Sequence, residues 1–292
     1  MKTKYQVFRF LKCRIFAAAL CAFVNPVGAS AETPVHTPST VRDAGVLRIA
    51  TYVGFPPFEF VKDGQVVGAE IELGDAIAKK MGVKASFANV PFEGIIAGLL
   101  SERYDLALSN MSDTERRRSQ VDFVDYAKGF TSIVVQKGNP KNVHSLGDLC
   151  GLPVATQQGS MQEKILTEQS TQCVSQGKSR LDIARFPSQA QVSLDLKSGR
   201  SAAEVRDYAL GVYEVSQSEG KLELVSVDGK PAMVGLPDTS GIAVRKGDTE
   251  MARSIQQALQ ALKADGTYDR IFTKWGVEYG AISEFAVNSG KN

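Results

Sequence analysis

The sequence carries very little with which to hold a metal or run histidine chemistry. Its two histidines, His36 and His144, stand far from any cluster of carboxylates or cysteines, so the ligand spacing of a zinc site is missing. His36 falls in a Pro- and Thr-rich stretch and His144 in a turn region, which leaves no nucleophile–His–acid triad. Cysteine is scarce: of four, Cys13 and Cys21 lie in the first 31 residues, and only Cys150 and Cys173 remain beyond them. Past residue 31 no apolar run approaches the roughly 20 residues that a membrane-spanning helix needs. A basic excess is missing too. Five of the 34 basic residues and none of the 32 acidic ones lie in the first 31, so the rest carries 29 against 32, a net charge of −3. A mildly acidic chain with no basic stripe offers no footing for nucleic acid. No cofactor motif, internal repeat or low-complexity tract stands out.

What is present begins with an export signal. Lys2, Lys4, Arg9, Lys12 and Arg14 form a basic region, followed by an apolar stretch from Ile15 to Val24 and by Ala29-Ser30-Ala31. This order predicts a signal peptide cleaved after Ala31 and a mature protein in the periplasm. Leu20 is too bulky for the position ahead of a lipoprotein cysteine at Cys21. In an oxidising compartment Cys150 and Cys173 are expected to form a disulfide; the alternative is two buried thiols.

Beyond a lead-in over 32–41, apolar periodicity alternates between strand and helix. Strands are expected at Leu47–Thr51, Leu106–Ser109, Ser132–Gln136, Pro153–Gln157, Ala202–Val205, Leu222–Val225 and Gly241–Val244. Helices are expected at Glu70–Met81, Phe92–Ser101, Ser160–Gln169, Gln189–Lys197, Tyr208–Ser218 and Thr249–Ala264, with a last amphipathic stretch at Tyr268–Trp275. Leu73, Ile77 and Met81 show the helical spacing, and Gly82 marks its stop. Two βαβα units predict an α/β protein with mainly parallel sheets, divided into two domains.

Five segments carry a family resemblance: Gly68–Gly82, Val90–Leu100, Met111–Arg117 ahead of Asp122-Phe123, Gln158–Ser160, and Asp265–Gly276. In this order they resemble the polar amino-acid-binding proteins of ABC importers, solute-binding protein family 3. The resemblance implies a two-lobed periplasmic-binding-protein fold with two interlobe crossovers and a central ligand cleft. Lobe 1 would combine 42–132 with 240–285, lobe 2 would span 133–239, and 286–292 would be a tail. It implies a monomer that captures an amino acid by lobe closure and hands it to a membrane permease.

An amino acid presents a carboxylate and an ammonium on one carbon, so its receptor needs a cation and an anion. By the resemblance, Arg117 takes the carboxylate through its planar fork, and Asp207 takes the ammonium. Ser160 and the backbone of Met161 would add donors at a helix start, although Ser160 also suits a plain N-cap. Asn110 and Ser112 would contribute from lobe 1, and Tyr52, Phe55, Phe92 and Gln157 would line the side-chain pocket. Because Tyr52 and Gln157 supply no countercharge, a neutral or weakly polar ligand side chain is expected. Two rivals remain. One is an enzyme on the same scaffold, resembling cyclohexadienyl dehydratase, for which Glu59, Glu70 and Glu163 are conceivable acids, although each also reads as a surface or helix carboxylate. The other is a sensor that reports ligand occupancy to a separate signalling partner.

Overall fold

The computed structural model describes Met1 and residues 35–227, 230–231 and 233–291. The expected leader and its cleavage site at Ala31 lie outside the described residues. Among those described, no helix is long and apolar enough to cross a membrane.

The chain opens with α1 (Ser39–Ala44), β1 (Val46–Thr51), the hairpin strands β2 (Phe60–Lys62) and β3 (Gln65–Val67), and α2 (Ala69–Lys80). It continues through β4 (Lys84–Asn89), α3 (Ile95–Leu100), β5 (Leu106–Ala107), the single turn α4 (Glu115–Arg118) and the long β6 (Val121–Gln136). Then come β7 (Pro153–Gln157), α5 (Met161–Ser175), β8 (Asp182–Phe186), α6 (Gln189–Lys197), β9 (Ala203–Asp207) and α7 (Tyr208–Gln217). The last elements are β10 (Leu222–Leu224), β11 (Ser226–Val227), β12 (Lys230–Pro231), β13 (Met233–Arg245), α8 (Thr249–Ala264) and α9 (Thr267–Lys274).

The main sheet runs β4-β1-β5-β13-β6-β9-β7-β8, with β10 also on β6. Its flanks are parallel, as expected from the βαβ pattern: β1 with β4 and β5 on one side, β7 with β8 and β9 on the other. The centre departs from that expectation. Strands β6 and β13 are antiparallel to each other, and each is antiparallel to the flank strand beside it. The reason is topological: a strand that leaves one parallel unit for the other, and the strand that returns, run in opposite directions through the same place. These two strands are the crossovers of a two-lobed fold.

Each lobe has its own apolar core. In the first, Leu73 and Ile77 of α2 meet Leu47 and Ile49 of β1, Ile242 of β13, and Ile255 and Leu259 of α8. In the second, Ile133 and Val135 of β6 pack with Val154, Leu166, Cys173 and Val205. Full burial of such aliphatic side chains stabilises by about 1.5–3 kcal/mol each. Cys150 and Cys173 form the expected disulfide, tying the segment before β7 to the far end of α5. Gly68, at the entry to α2, has φ 143° and lies so close to the Phe58 carbonyl that a Cβ would sit 1.9 Å from it. That close approach sets Glu59 beside Glu70, the second residue of the helix.

Candidate functional site

The carboxyl ends of the strands of both lobes converge on one enclosed cavity, as open α/β sheets tend to arrange them. Phe55, Phe92, Ser109, Asn110, Ser112 and Arg117 line it from one side and Gln157, Ser160, Met161, Gln162 and Asp207 from the other. Asp238 and Ser240 of β13 close the floor. Nine of the ten residues expected from the sequence are therefore gathered at one place. Tyr52, the tenth, stands apart: its hydroxyl accepts a hydrogen bond from the Gln189 backbone at 3.3 Å, across the two lobes.

Arg117 is the only buried member of the Arg116–Arg118 run. Arg116 is exposed and Arg118 turns away to Asp113. The short helix α4 puts Arg117 there: Thr114 caps it by accepting from the Arg117 backbone at 3.3 Å. The Arg117 side chain, 6% exposed, donates from Nη1 to the Ser112 carbonyl at 2.8 Å and from Nη2 to the Gly159 carbonyl at 3.0 Å. Its guanidinium carbon lies 5.4 Å from the centre of the Phe92 ring. Burial, reinforced by Arg116, lowers its pKa to about 10, well above neutrality. The group remains a full cation.

Asp207 ends β9 and caps α7, where Oδ1 accepts from the backbones of Ala209 and Leu210 at 2.9 and 3.3 Å. Oδ2 is left towards the cleft, where it accepts from Asn110 Nδ2 at 3.4 Å. Burial, with Asp238 nearby, pushes its pKa up to about 7. Asn110 is held in the left-handed region at φ 39° by its neighbours. Its backbone donates to both carboxylate oxygens of Glu70 at 2.8 and 3.0 Å, and its Oδ1 accepts from Ser240 at 2.8 Å.

Ser160 is the N-cap of α5. Its hydroxyl accepts from the Glu163 backbone at 3.1 Å and donates to the Gln157 carbonyl at 2.7 Å. Its proton is therefore committed locally, and what it offers the cavity is a remaining lone pair. Gln157 is committed as well: its Oε1 accepts from Gln189 Nε2 at 2.8 Å, and Gln189 Oε1 accepts from the buried Arg206 at 2.9 Å. Phe92 opens a single 3₁₀ turn rather than the expected α-helix, which begins only at Ile95. Pro91 and Gly94 bracket that turn.

Sequence reasoning missed four lining residues: Ser109, Gln162, Asp238 and Ser240. It also misjudged two carboxylates. Glu59 and Glu70, read as surface or helix residues, are buried side by side. Burial, then repulsion from Glu70, pushes the Glu59 pKa well up; burial raises Glu70 to about 7. They form a layer behind the cavity: Ser109 donates to Glu59 at 3.0 Å, and Tyr126 donates to Glu70. Glu163 accepts from the Gly159 backbone at 2.7 Å and pairs with Arg185 at 2.6 Å. The expectation of a neutral ligand side chain rested on Tyr52 and Gln157, and it did not count the carboxylate of Asp238.

Residues 47–278 match the family model for bacterial extracellular solute-binding proteins, family 3. The chain is 32% identical to the lysine/arginine/ornithine-binding periplasmic protein of Escherichia coli (strain K12), over 78% of this chain and 86% of that one. It is 30% identical to the L-arginine-binding protein of Pseudomonas aeruginosa, over 85% and 94%. Among solved structures, an ancestral arginine-binding protein bound to arginine is 38% identical, with a TM-score of 0.72, 79% of this chain and 98% of that one being covered. An ancestral amino acid-binding protein that is a precursor of cyclohexadienyl dehydratase is 30% identical with a TM-score of 0.71, over 81% and 97%. With the family model matched over most of its length and a two-lobed fold closing on a buried cleft, the chain belongs to the bacterial extracellular solute-binding proteins, family 3.

Proposed function

We propose that this protein is the amino-acid receptor of an ABC importer: it closes around one free amino acid and presents it, as a monomer, to a membrane permease. The observation that carries the reading is the pairing of Arg117 with Asp207. A buried cation from one lobe and a buried carboxylate from the other line the same cavity, matching the two charges on an α-carbon. The relatives named for arginine, lysine and ornithine support the same ligand class. Lobe 1 would comprise 42–132 with 240–285 and lobe 2 would comprise 133–239, with the strands β6 and β13 as the hinge. Export follows from the basic and apolar leader, with cleavage near Ala31.

A ligand that touches both lobes stabilises the closed form over the open one, because only the closed form offers both sets of contacts. The cavity encloses about 20 Å³, room for about one water and not for an amino acid. The lobes must therefore part for a ligand to enter. Binding without chemistry fits the arrangement of the carboxylates. Glu59 and Glu70 face Ser109, Asn110 and Tyr126, and Glu163 is held by Arg185 and a backbone amide, so these three are not presented to a bound substrate. The carboxylates that line the cavity are Asp207 and Asp238.

The test is thermal unfolding of the mature protein, stripped of carried-over ligand, against a panel of single amino acids. A ligand at one hundred times its dissociation constant adds about 2.7 kcal/mol, which raises Tm by roughly 5–10 °C for a chain of this size. The shift is expected with at least one amino acid and is expected to vanish in Arg117→Ala and in Asp207→Ala. A protein whose melting no amino acid moves is not an amino-acid receptor.

A further inference from the structure

The floor of the cleft holds a second carboxylate that the pairing of Arg117 and Asp207 does not use. In β6, Thr131 stands opposite Asp207 of β9, and Gly129 stands opposite Asp238 of β13. Residues 129 and 131 are two apart in an extended strand and so share a face. Asp207 and Asp238 therefore flank the same face of β6 from its two sides. Asp238 fills the space that a side chain at position 129 would take: a Cβ on Gly129 would lie 2.1 Å from Asp238 Oδ1. Asp238 is 9% exposed, lines the cavity, and accepts a hydrogen bond from the hydroxyl of Ser112.

The charges then fail to balance for a neutral ligand. Among the described residues the cavity wall holds one cation, Arg117, against Asp207 and Asp238, while Glu59 and Glu70 stand a layer behind. A zwitterionic amino acid adds one charge of each sign. Its carboxylate occupies Arg117 and its ammonium neutralises one aspartate. Asp238 is left with the Ser112 hydroxyl as its hydrogen-bond partner and with Arg117, already engaged by the ligand's carboxylate, as its nearby cation. A buried charge so under-compensated is costly. A ligand with one more positive charge than negative removes that cost.

Building on the amino-acid reading above, we propose that Asp238 is a specificity-determining residue that selects cationic amino acids over neutral ones of the same shape. Calorimetric titration with two matched pairs tests it: arginine against citrulline, and lysine against methionine. The wild-type protein is expected to bind the cationic member of at least one pair about thirtyfold or more tightly. Asp238→Asn is expected to shrink that preference to within about threefold. Gly129→Ala, which displaces the carboxylate without removing it, is expected to move the preference the same way and serves if Asp238→Asn does not fold. Wild-type protein that binds citrulline or methionine as well as its cationic partner would overturn the proposal and leave the amino-acid reading standing. Retention of the full preference in a folded Asp238→Asn protein would overturn it as well. Binding of no amino acid at all would remove both.

Discussion

Asp207 serves two partners at once, and its proton is where they compete. Through Oδ1 it caps α7, and through Oδ2 it faces the cleft, buried beside Asp238 with its pKa raised to about 7. The unfolded value is about 3.9, so between the two the folded protein holds a proton that the unfolded chain has lost. The stability this proton contributes is present at low pH and is lost as pH rises through about 7. In the proposed pairing, ligand binding has the opposite dependence, because an ammonium pairs with the ionised form of Asp207. Affinity for an amino acid is therefore expected to weaken about tenfold from pH 8 to pH 6. Calorimetry in buffers of different ionisation enthalpy should show a proton released on binding at neutral pH. A pH-independent affinity with no proton released would mean that Asp207 is already ionised in the free protein. At this scale much of the candidate site's lining was legible in the sequence. Arg117, Ser112 and Ser160 lie in segments that carry the family resemblance, and Asp207 was placed by its position just after the expected strand Ala202–Val205. Asp238 was not, because Pro237-Asp238 reads as a turn and the strand was expected to begin only at Gly241. Glu70 was misjudged because an acidic residue in the first turn of a helix usually answers the helix dipole in solvent. What buries it is a contact with residues 58–59, not anything in its own neighbourhood.

Among the elements, the C-terminal segment departs most from expectation. Residues 286–292 were expected to be a tail, yet 285–290 lie as a strap along β6. Val287 bridges to Val124, Asn288 accepts from the Phe123 backbone at 2.9 Å and donates to Asp122 at 2.9 Å. Ser289 donates from its backbone to Asp125 at 3.0 Å, and the Gly290 backbone donates to Asp113 at 2.7 Å. Arg118 donates to the Gly290 carbonyl at 2.8 Å, and Phe285 is buried in the first core. The strap thus grips both Asp113 and Arg118, on either side of Arg117. Ending the chain at Glu284 is expected to cost about 3 kcal/mol or more, chiefly from the lost Phe285, and to lower Tm by roughly 10 °C. Unchanged melting of the truncated protein would show that the strap adds nothing to the fold. The same contacts explain why the first two thirds of β6, residues 121–131, escaped sequence reading. Asp122, Asp125 and Lys128 interrupt its apolar pattern, and the partners of the two aspartates sit 124 to 166 residues away in the sequence. Strands β1 and β7, by contrast, are apolar runs whose burial comes from adjacent helices, and both were expected nearly as they stand.

Across the whole molecule, closure is held by bonds that reach from lobe to lobe. Arg117 reaches the Gly159 carbonyl, Asn110 reaches Asp207, and the Gln189 backbone reaches Tyr52. The first two involve groups expected to serve the ligand, and a ligand would rearrange them. The third lies outside the cavity lining, so a ligand need not displace it, and it acts as a latch on the open–closed equilibrium. Loss of one such hydrogen bond is worth about 1 kcal/mol. Since apparent affinity scales with the closed population, Tyr52→Phe is expected to weaken binding by up to about fivefold. The factor should be the same for every amino acid the protein accepts, because a latch has no contact through which to discriminate. Had Tyr52 lined the side-chain pocket, as the sequence suggested, the loss would differ from ligand to ligand and grow with the ligand that touches it. Calorimetric titration of Tyr52→Phe with two ligands of different side chain separates the cases: a common factor assigns Tyr52 to closure, and a ligand-dependent one returns it to the pocket wall.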